Sequence, residues 1–422
     1  MQASLDLADA GFKVYLVERR PSIGGVMSQL DKTFPTNDCS TCIISPKLIE
    51  VAKHPGIEIM AYSEVEGLDG SPGRYKVKIR KRARYVDETR CVSCGVCATK
   101  CPRKVPNEFN RGLDARKAIY IPFAQAVPSV YTIDREHCIY FEKGKCRACE
   151  KFCENKAVDL DQEDTIVEIE TGAVVLASGF EPVDPRIRPE YGYGRYANVL
   201  SSIEFERYLS AAGPTGGHIQ RPSDGGEPVK VGWVQCVGSR DASVGRDYCS
   251  YACCMYAAKQ AVIAREHNPN IEPSIFFIDM RAQGKGFDRY YERAKSEHGV
   301  RYVRSMISRI TEDPVTGDLE VRYVDEQGEF QVESFDLMIL SVGFSSTPES
   351  RALAERLGVD LDRFGFCRSR EFDLISTNRP GIFACGVFQG PKDIPDSVAQ
   401  ASSAAAEAMG FLAEARGTLV EE

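Results

Sequence analysis

The sequence predicts an α/β protein of two dinucleotide-binding-type domains, the first of them interrupted by a small cysteine-rich domain. Three observations carry this reading. Short apolar strands alternate with helical stretches and end in glycine turns. An acid, Glu18, closes the first of these strands. Eight of the 16 cysteines fall between residues 91 and 153.

Residues 1–11 have helical periodicity: Leu5, Leu7, Ala8 and Ala10 form an apolar side and Gly11 ends it. Lys13-Val14-Tyr15-Leu16-Val17-Glu18 follows as a short parallel strand. Helix, glycine, strand and terminal glutamate make the second half of a dinucleotide-binding βαβ unit, in which Glu18 would bond ribose hydroxyls. Ser22-Ile23-Gly24-Gly25 resembles the turn after this strand in two-dinucleotide-domain flavoproteins. An ordinary strand end with a surface glutamate is the plain alternative. The first strand and its phosphate-binding glycine loop are expected upstream of Met1, which makes Met1 read as a truncated start.

Two later segments resemble the rest of such a flavoprotein domain. Thr171 to Pro182 contains Ala177-Ser178-Gly179 in place of the family's A-T-G turn, and Thr377 to Gly386 matches its final strand. Val387 stands where an aspartate usually touches the flavin's ribityl chain. Pro395 to Ala408 reads as an alanine- and serine-rich helix. The resemblance implies FAD, held by Glu18, Gly24, Gly25, Ala177, Ser178, Gly179 and Gly386.

The cysteine block, residues 84–158, interrupts this domain between Tyr75-Lys76-Val77-Lys78-Ile79 and Thr165-Ile166-Val167-Glu168-Ile169. Cys91, Cys94, Cys97 and Cys101 are followed by Pro102, the ferredoxin spacing for 4Fe-4S clusters, in which the fourth cysteine serves the other cluster. Cys138, Cys146, Cys149 and Cys153 supply the second set. The assignment is Cys91, Cys94, Cys97 and Cys153 to one cluster, and Cys138, Cys146, Cys149 and Cys101 to the other. A zinc ribbon or disulfides are the alternatives.

Residues 228–345 carry the strands of a second dinucleotide domain: Lys230 to Gln235, Ile275 to Asp279 and Leu337 to Gly343. Where a nucleotide-binding glycine loop would follow the first strand stands Gln235-Cys236-Val237-Gly238-Ser239-Arg240, then Cys249, Cys253 and Cys254. These four thiols read either as a third metal site, with Cys249 and Cys253 on one helix face, or as packed cysteines. The expected organisation is 1–83 and 159–227 in the FAD domain, 84–158 inserted, 228–345 the second domain, and 346–422 the FAD domain's final part.

Composition narrows the function. A net charge of −8 gives no reason to expect nucleic acid. No apolar run nears the roughly 20 residues that cross a bilayer. Sixteen cysteines in a charged, signal-free chain suggest redox and metal ligands in a reducing, cytoplasmic compartment. Cys39-Ser40-Thr41-Cys42 is either a redox pair, a ligand pair or packed thiols; no helix start is expected there. Cys367 and Cys385 are expected in the core.

Phe34-Pro35-Thr36-Asn37-Asp38-Cys39-Ser40-Thr41-Cys42, Arg116 to Phe123, Gly213-Pro214-Thr215-Gly216-Gly217-His218, the Gln235 to Arg240 stretch and Gly390-Pro391-Lys392-Asp393-Ile394-Pro395 together resemble the iron-sulfur flavoprotein component of heterodisulfide reductase, its A-type polypeptide. That resemblance implies FAD in a thioredoxin-reductase-like fold, an inserted two-cluster ferredoxin domain, and a further cluster on Cys236, Cys249, Cys253 and Cys254. It implies Lys259 as a partner of the flavin ring, against the alternative of a solvated helix lysine. The implied function is electron bifurcation among a donor module, ferredoxin and a disulfide-reducing component. The partners would be heterodisulfide reductase B- and C-type subunits and a hydrogenase, formate dehydrogenase or NADH-oxidising module. Three other readings remain: the A-type component of a quinone-interacting complex, an NAD(P)H-dependent flavoprotein reductase, and an electron-wiring protein without flavin.

Overall fold

The computed structural model describes residues 1–416. Helix α1 (Gln2–Asp9) buries Leu5 and Ala8, and Gly11 at φ +87° turns the chain into strand β1 (Val14–Glu18). Helix α2 (Ser40–Lys53) then leads to β2 (Ile57–Ala61), which pairs in parallel with β1. Strands β3 (Ser63–Ser71) and β4 (Arg74–Lys81) form a hairpin, and β4 pairs antiparallel with β5 (Thr165–Thr171). Lys81 lies opposite Thr165, so residues 84–158 leave and return at adjacent points. They form a separate small core around Tyr85, Val86, Ile119, Ile133 and Val158.

Three short helices hold cysteines of that insertion or abut them: α3 (Val96–Lys100), α4 (Ile139–Lys143) and α5 (Ala148–Lys151). Arg84, 2% exposed, clamps the insertion to its host. Its guanidinium donates to Pro21 O at 2.9 Å and Thr132 Oγ1 at 2.8 Å, and it pairs with Glu88 at 2.9 Å. A charge this deep persists because its donors are shared among an acid and neutral oxygens.

The chain next forms β6 (Val174–Leu176) and reaches β7 (Val199–Ser201), whose last residue caps α6 (Ser202–Leu209) in a reciprocal Ser201–Glu204 capping box. The next main elements are β8 (Lys230–Val237), α7 (Cys253–His267), β9 (Glu272–Phe277), α8 (Phe287–Ser296), β10 (Arg301–Arg304), β11 (Ile307–Glu312), β12 (Leu319–Val324), β13 (Phe330–Phe335) and β14 (Leu337–Val342). Strands β7, β14, β8, β9 and β10 form a parallel sheet in that order. The sequence-based boundary at 228 is therefore corrected: β7 and α6 belong to the second domain, because β7 pairs with β14.

Period-2 alternation gives that sheet two buried faces. Trp233, Ile275 and Ile339 lie in register and face α6, α7 and α8, while Val234, Phe276 and Leu340 face the antiparallel sheet β11–β12–β13. Helix α7 is buried nearly all round, and Ala257, Ala258, Ala261 and Ala264, each 0% exposed, let it lie close to the strands. Helix α9 (Pro348–Leu357) and β15 (Ile382–Ala384) return to the first domain, where β15 pairs in parallel with β6. Helix α10 (Ile394–Arg416) packs on α1 and β15.

Candidate redox site

The first domain presents a half-open cradle. Strand β1 is only half-buried despite its apolar sequence, and Ala177 and Ser178 are exposed at the end of β6. Gly179 follows at φ +75° and Gly386, after β15, at φ +67°. Both turns lie at the carboxyl ends of parallel strands, where open α/β sheets bind ligands. Gly25 (φ +57°) and Gly179 face open space, whereas a Cβ on Gly24 would meet Phe123 and Ser28 at 3.5 Å. Glu18 ends β1 with Oε1 accepting the Arg20 amide at 2.8 Å, and desolvation raises its pKa. Near Gly386, Lys392 Nζ donates to Gly386 O (3.0 Å), Gln389 Oε1 (2.6 Å) and Gln400 Oε1 (2.9 Å). Burial pushes this ammonium down to about 8. An acid for ribose, open glycine turns and a cation without a carboxylate partner among the described residues fit an anionic dinucleotide such as FAD.

In the insertion, one small apolar pocket has Cys101, Cys138, Cys146 and Cys149 in its wall, with Ile119 and Ile133 between them. Cys97 lies among Cys91, Cys94 and Cys149, and desolvation pushes its thiol up to about 12. Desolvation likewise pushes Cys149 up to about 11 beside Cys138, Cys101 and Cys146. Cys153 packs in the same core and accepts the Ala157 amide at 3.3 Å. Among the described residues no three His, Cys, Asp or Glu side chains converge on a point fit for a single ion. Thiols placed at the corners of a cube stand farther apart than those around one zinc.

At the end of β8, Cys236 adopts φ +60° and brings its thiol to Cys253, which also bonds Cys254. The bond from Cys253 lowers Cys254 to about 7, helped by the Arg281 amide. The same thiol lowers Cys236, with Arg240 beside it, and Arg240 is paired with Asp279. Cys253 itself is raised well above the ordinary thiol range by its two thiol neighbours and burial. The expected helix face shared by Cys249 and Cys253 is corrected. Tyr251 at φ +65° breaks the helical path, α7 begins at Cys253, and Cys249 sits in the preceding turn with Sγ accepting the Tyr251 amide at 3.3 Å.

Lys259 is not a solvated helix lysine. It is 2% exposed and ion-paired with Glu206 of α6, which is equally buried. Gln260 donates to the same carboxylate at 2.6 Å, and the Asp31 amide donates to its other oxygen at 3.0 Å. The next residue, Arg207, donates to Asn110 Oδ1 (2.9 Å) and Gln29 O (2.8 Å) and lies 4.9 Å from the Phe109 ring. Sequence reasoning missed Glu206 and Arg207; the Ser201-x-x-Glu204 capping signature marked the helix that carries them. It also missed the start of α2, where Cys39 is the N-cap and its Sγ accepts the Cys42 amide at 3.4 Å. Both of these thiols are exposed, while Cys367 and Cys385 are buried as expected.

The family model of pyridine nucleotide-disulphide oxidoreductases matches residues 1–408. The chain is 49% identical over 408 residues to the A-type iron-sulfur subunit of CoB–CoM heterodisulfide reductase from Methanocaldococcus jannaschii, covering 96% of this chain and 61% of that protein. It is 51% identical over 416 residues to a protein of the same name from Methanopyrus kandleri, the second of two there, covering 98% and 63%. With the corresponding A-type subunit of the H(2):CoB-CoM heterodisulfide,ferredoxin reductase of Methanothermobacter marburgensis it shares 45% over 411 residues, covering 97% and 62%. The chain thus spans about three-fifths of the length of these relatives. Among solved structures, Lactococcus lactis thioredoxin reductase superposes with TM-score 0.52 at 18% identity, covering 98% of this chain and 95% of that one. The thioredoxin reductase of T. acidophilum gives TM-score 0.51 at 13% identity, covering 97% and 93%. The chain belongs to the pyridine nucleotide-disulphide oxidoreductase family, with a thioredoxin-reductase-like fold, and along nearly its whole length it is a relative of the A-type iron-sulfur subunits of heterodisulfide reductase.

Proposed function

We propose that this chain is the FAD and iron–sulfur electron-transfer part of a heterodisulfide-reductase-like complex. The observation that carries the reading is the convergence of Cys236, Cys253 and Cys254 where β8 ends, the position at which this fold would otherwise take a nicotinamide nucleotide. FAD, when bound, would supply the exchange between two-electron and one-electron chemistry. Glu18 would hold its ribose, and the turns at Gly24-Gly25, Ala177-Ser178-Gly179 and Gly386 would bring backbone close to it. Lys259, its ammonium fixed by Glu206, would keep a positive charge in place beside the ring. Cys236, Cys249, Cys253 and Cys254 would ligate one 4Fe-4S cluster, and the eight insertion cysteines two more, paired as Cys91, Cys94, Cys97, Cys153 and Cys101, Cys138, Cys146, Cys149.

Three clusters flanking one two-electron centre suit the division of an electron pair between two acceptors. The reading is bifurcation, with one branch leading to ferredoxin and the other to a disulfide-reducing partner. The names of the M. jannaschii and M. marburgensis relatives support heterodisulfide and ferredoxin as the acceptors. Partners would be B- and C-type subunits and a hydrogenase, formate dehydrogenase or NADH-oxidising module. No helix among the described residues is long and apolar enough to cross a membrane.

The test is iron and flavin content of the full-length protein. Cys236→Ser/Cys254→Ser should lose about four irons per chain, the content of one cubane, and keep the irons of residues 84–158. Unchanged iron in that variant would refute the third cluster, and a parent protein without flavin would refute the reading as a whole.

A further inference from the structure

The insertion differs in charge from the chain that carries it. Residues 84–158 hold fourteen Lys and Arg against nine Asp and Glu, a net of +5 in a chain of net −8. Part of this excess gathers beside the first cysteine set. Val92 is 67% exposed and Val96 40%, each next to a cysteine of that set, and Phe152, next to Cys153 of the second set, is 46% exposed. Cys94 is itself exposed. Val96 and Lys100 lie four apart on α3, and Lys100 Nζ reaches over the Phe152 ring at 4.9 Å, so α3 and the end of α5 present one continuous face. Around it Lys100, Lys151 and Lys156 are exposed, as are the acid Glu154 and Arg90, the last paired with Asp87 at 3.3 Å. Among the described residues Lys100, Lys151 and Lys156 have no carboxylate within ion-pair reach, in a protein with many such pairs elsewhere.

We infer that the face of Val92, Val96 and Phe152, rimmed by Lys100, Lys151 and Lys156, docks an acidic protein electron carrier beside Cys91, Cys94 and Cys97. The inference rests on the proposed reading that these cysteines hold a cluster. Weak redox encounters bury little area, below about 1,200 Å², so an aromatic and two valines suffice as the dry centre. Unpaired cations at the rim attract an acidic partner over about a Debye length, raise its rate of encounter and let it leave again. The transfer is of a single electron: what one protein loses the other gains, and no bond or proton moves. Burying the face also excludes water from the exposed side of Cys94.

The experiment compares electron exchange of the full-length protein with an acidic two-cluster ferredoxin and with a small viologen dye. In Lys100→Glu/Lys151→Glu the ratio of ferredoxin rate to dye rate should fall about 10-fold at low salt, and the difference should vanish as salt is raised. A second variant, Phe152→Ser, should raise KM for ferredoxin without steepening the salt dependence. Iron content of each variant is measured alongside. A normal iron content with an unchanged rate ratio in both variants overturns the docking face alone. Absence of iron from residues 84–158 in the parent overturns the cluster reading and the docking face together. Amine labelling supplies a third arm: protection of Lys100 and Lys151 before ferredoxin is added would show the face covered by other parts of the full-length protein, and overturns the inference.

Discussion

The buried pair Lys259–Glu206 gives the most demanding prediction. Both side chains are at most 3% exposed, so neither charge recovers water when its partner is removed. Lys259→Met nearly keeps the length and volume of the side chain and deletes the cation. Glu206 is then left with the Gln260 amide at 2.6 Å and the Asp31 amide at 3.0 Å, two neutral donors. Breaking such a pair costs roughly 3–5 kcal/mol, and Glu206→Gln should cost a similar amount by stranding the ammonium. The double variant removes both charges together, so its cost should be smaller than the sum of the singles by on the order of 2–3 kcal/mol. The chain provides its own reporter. Its one tryptophan, Trp233, donates from Nε1 to Gln260 Oε1 at 3.1 Å, and Gln260 in turn bonds Glu206. Urea unfolding followed by tryptophan fluorescence on the flavin-free protein reads the second domain's stability directly. A loss below about 1 kcal/mol in Lys259→Met, or additive single effects, would refute the claim that this pair is energetically coupled.

Two further outcomes follow from the geometry. Since Cys101 shares a pocket wall with Cys138, Cys146 and Cys149, Cys101→Ser and Cys146→Ser should each remove about four irons and their combination no more than either; a loss near eight would contradict the crossed assignment. Lys392 has its pKa lowered from 10.5 to about 8, chiefly by burial, so between pH 8 and 10.5 the unfolded chain binds a proton that the folded one does not. Stability rises with pH in that window, and the gap between Lys392→Gln and the parent should move against the variant as pH climbs from 8 to 10.5; a gap independent of pH would sink the assignment.

The β-strands of both domains were legible because buried parallel strands leave apolar runs. Lys230 to Gln235 and Leu337 to Gly343 fall in such strands, with ends displaced by one or two residues; Thr165 to Ile169 also falls in a strand, but an antiparallel one with no buried residue. Cys101 lines one pocket with Cys138, Cys146 and Cys149, an arrangement compatible with the crossed pairing that the spacing suggests. The path between Cys249 and Cys253 was not legible, because it depends on Tyr251 taking a left-handed conformation that no residue type announces. The α2 start was hidden for a related reason: a cysteine is an uncommon N-cap, and its sulfur does there what serine or aspartate ordinarily does. Glu206 and Arg207 carry no signal in the sequence that sets them apart from other helix charges, and only the tertiary contacts with Gln29, Asp31 and Asn110 reveal them as interior.

Those two adjacent residues determine more than stability. Consecutive positions on an α-helix point about 100° apart, so α6 directs Glu206 toward α7 and the Asp31 amide while Arg207 reaches the Gln29 carbonyl and the insertion. Through these two side chains α6 ties the helix that begins at Cys253 to residues 29–31 and to the insertion at Asn110. Electron hopping depends steeply on separation, so with the proposed clusters in the insertion and beside α7, a slip of α6 by a single residue would change the gap between them while leaving the ligands of each in place.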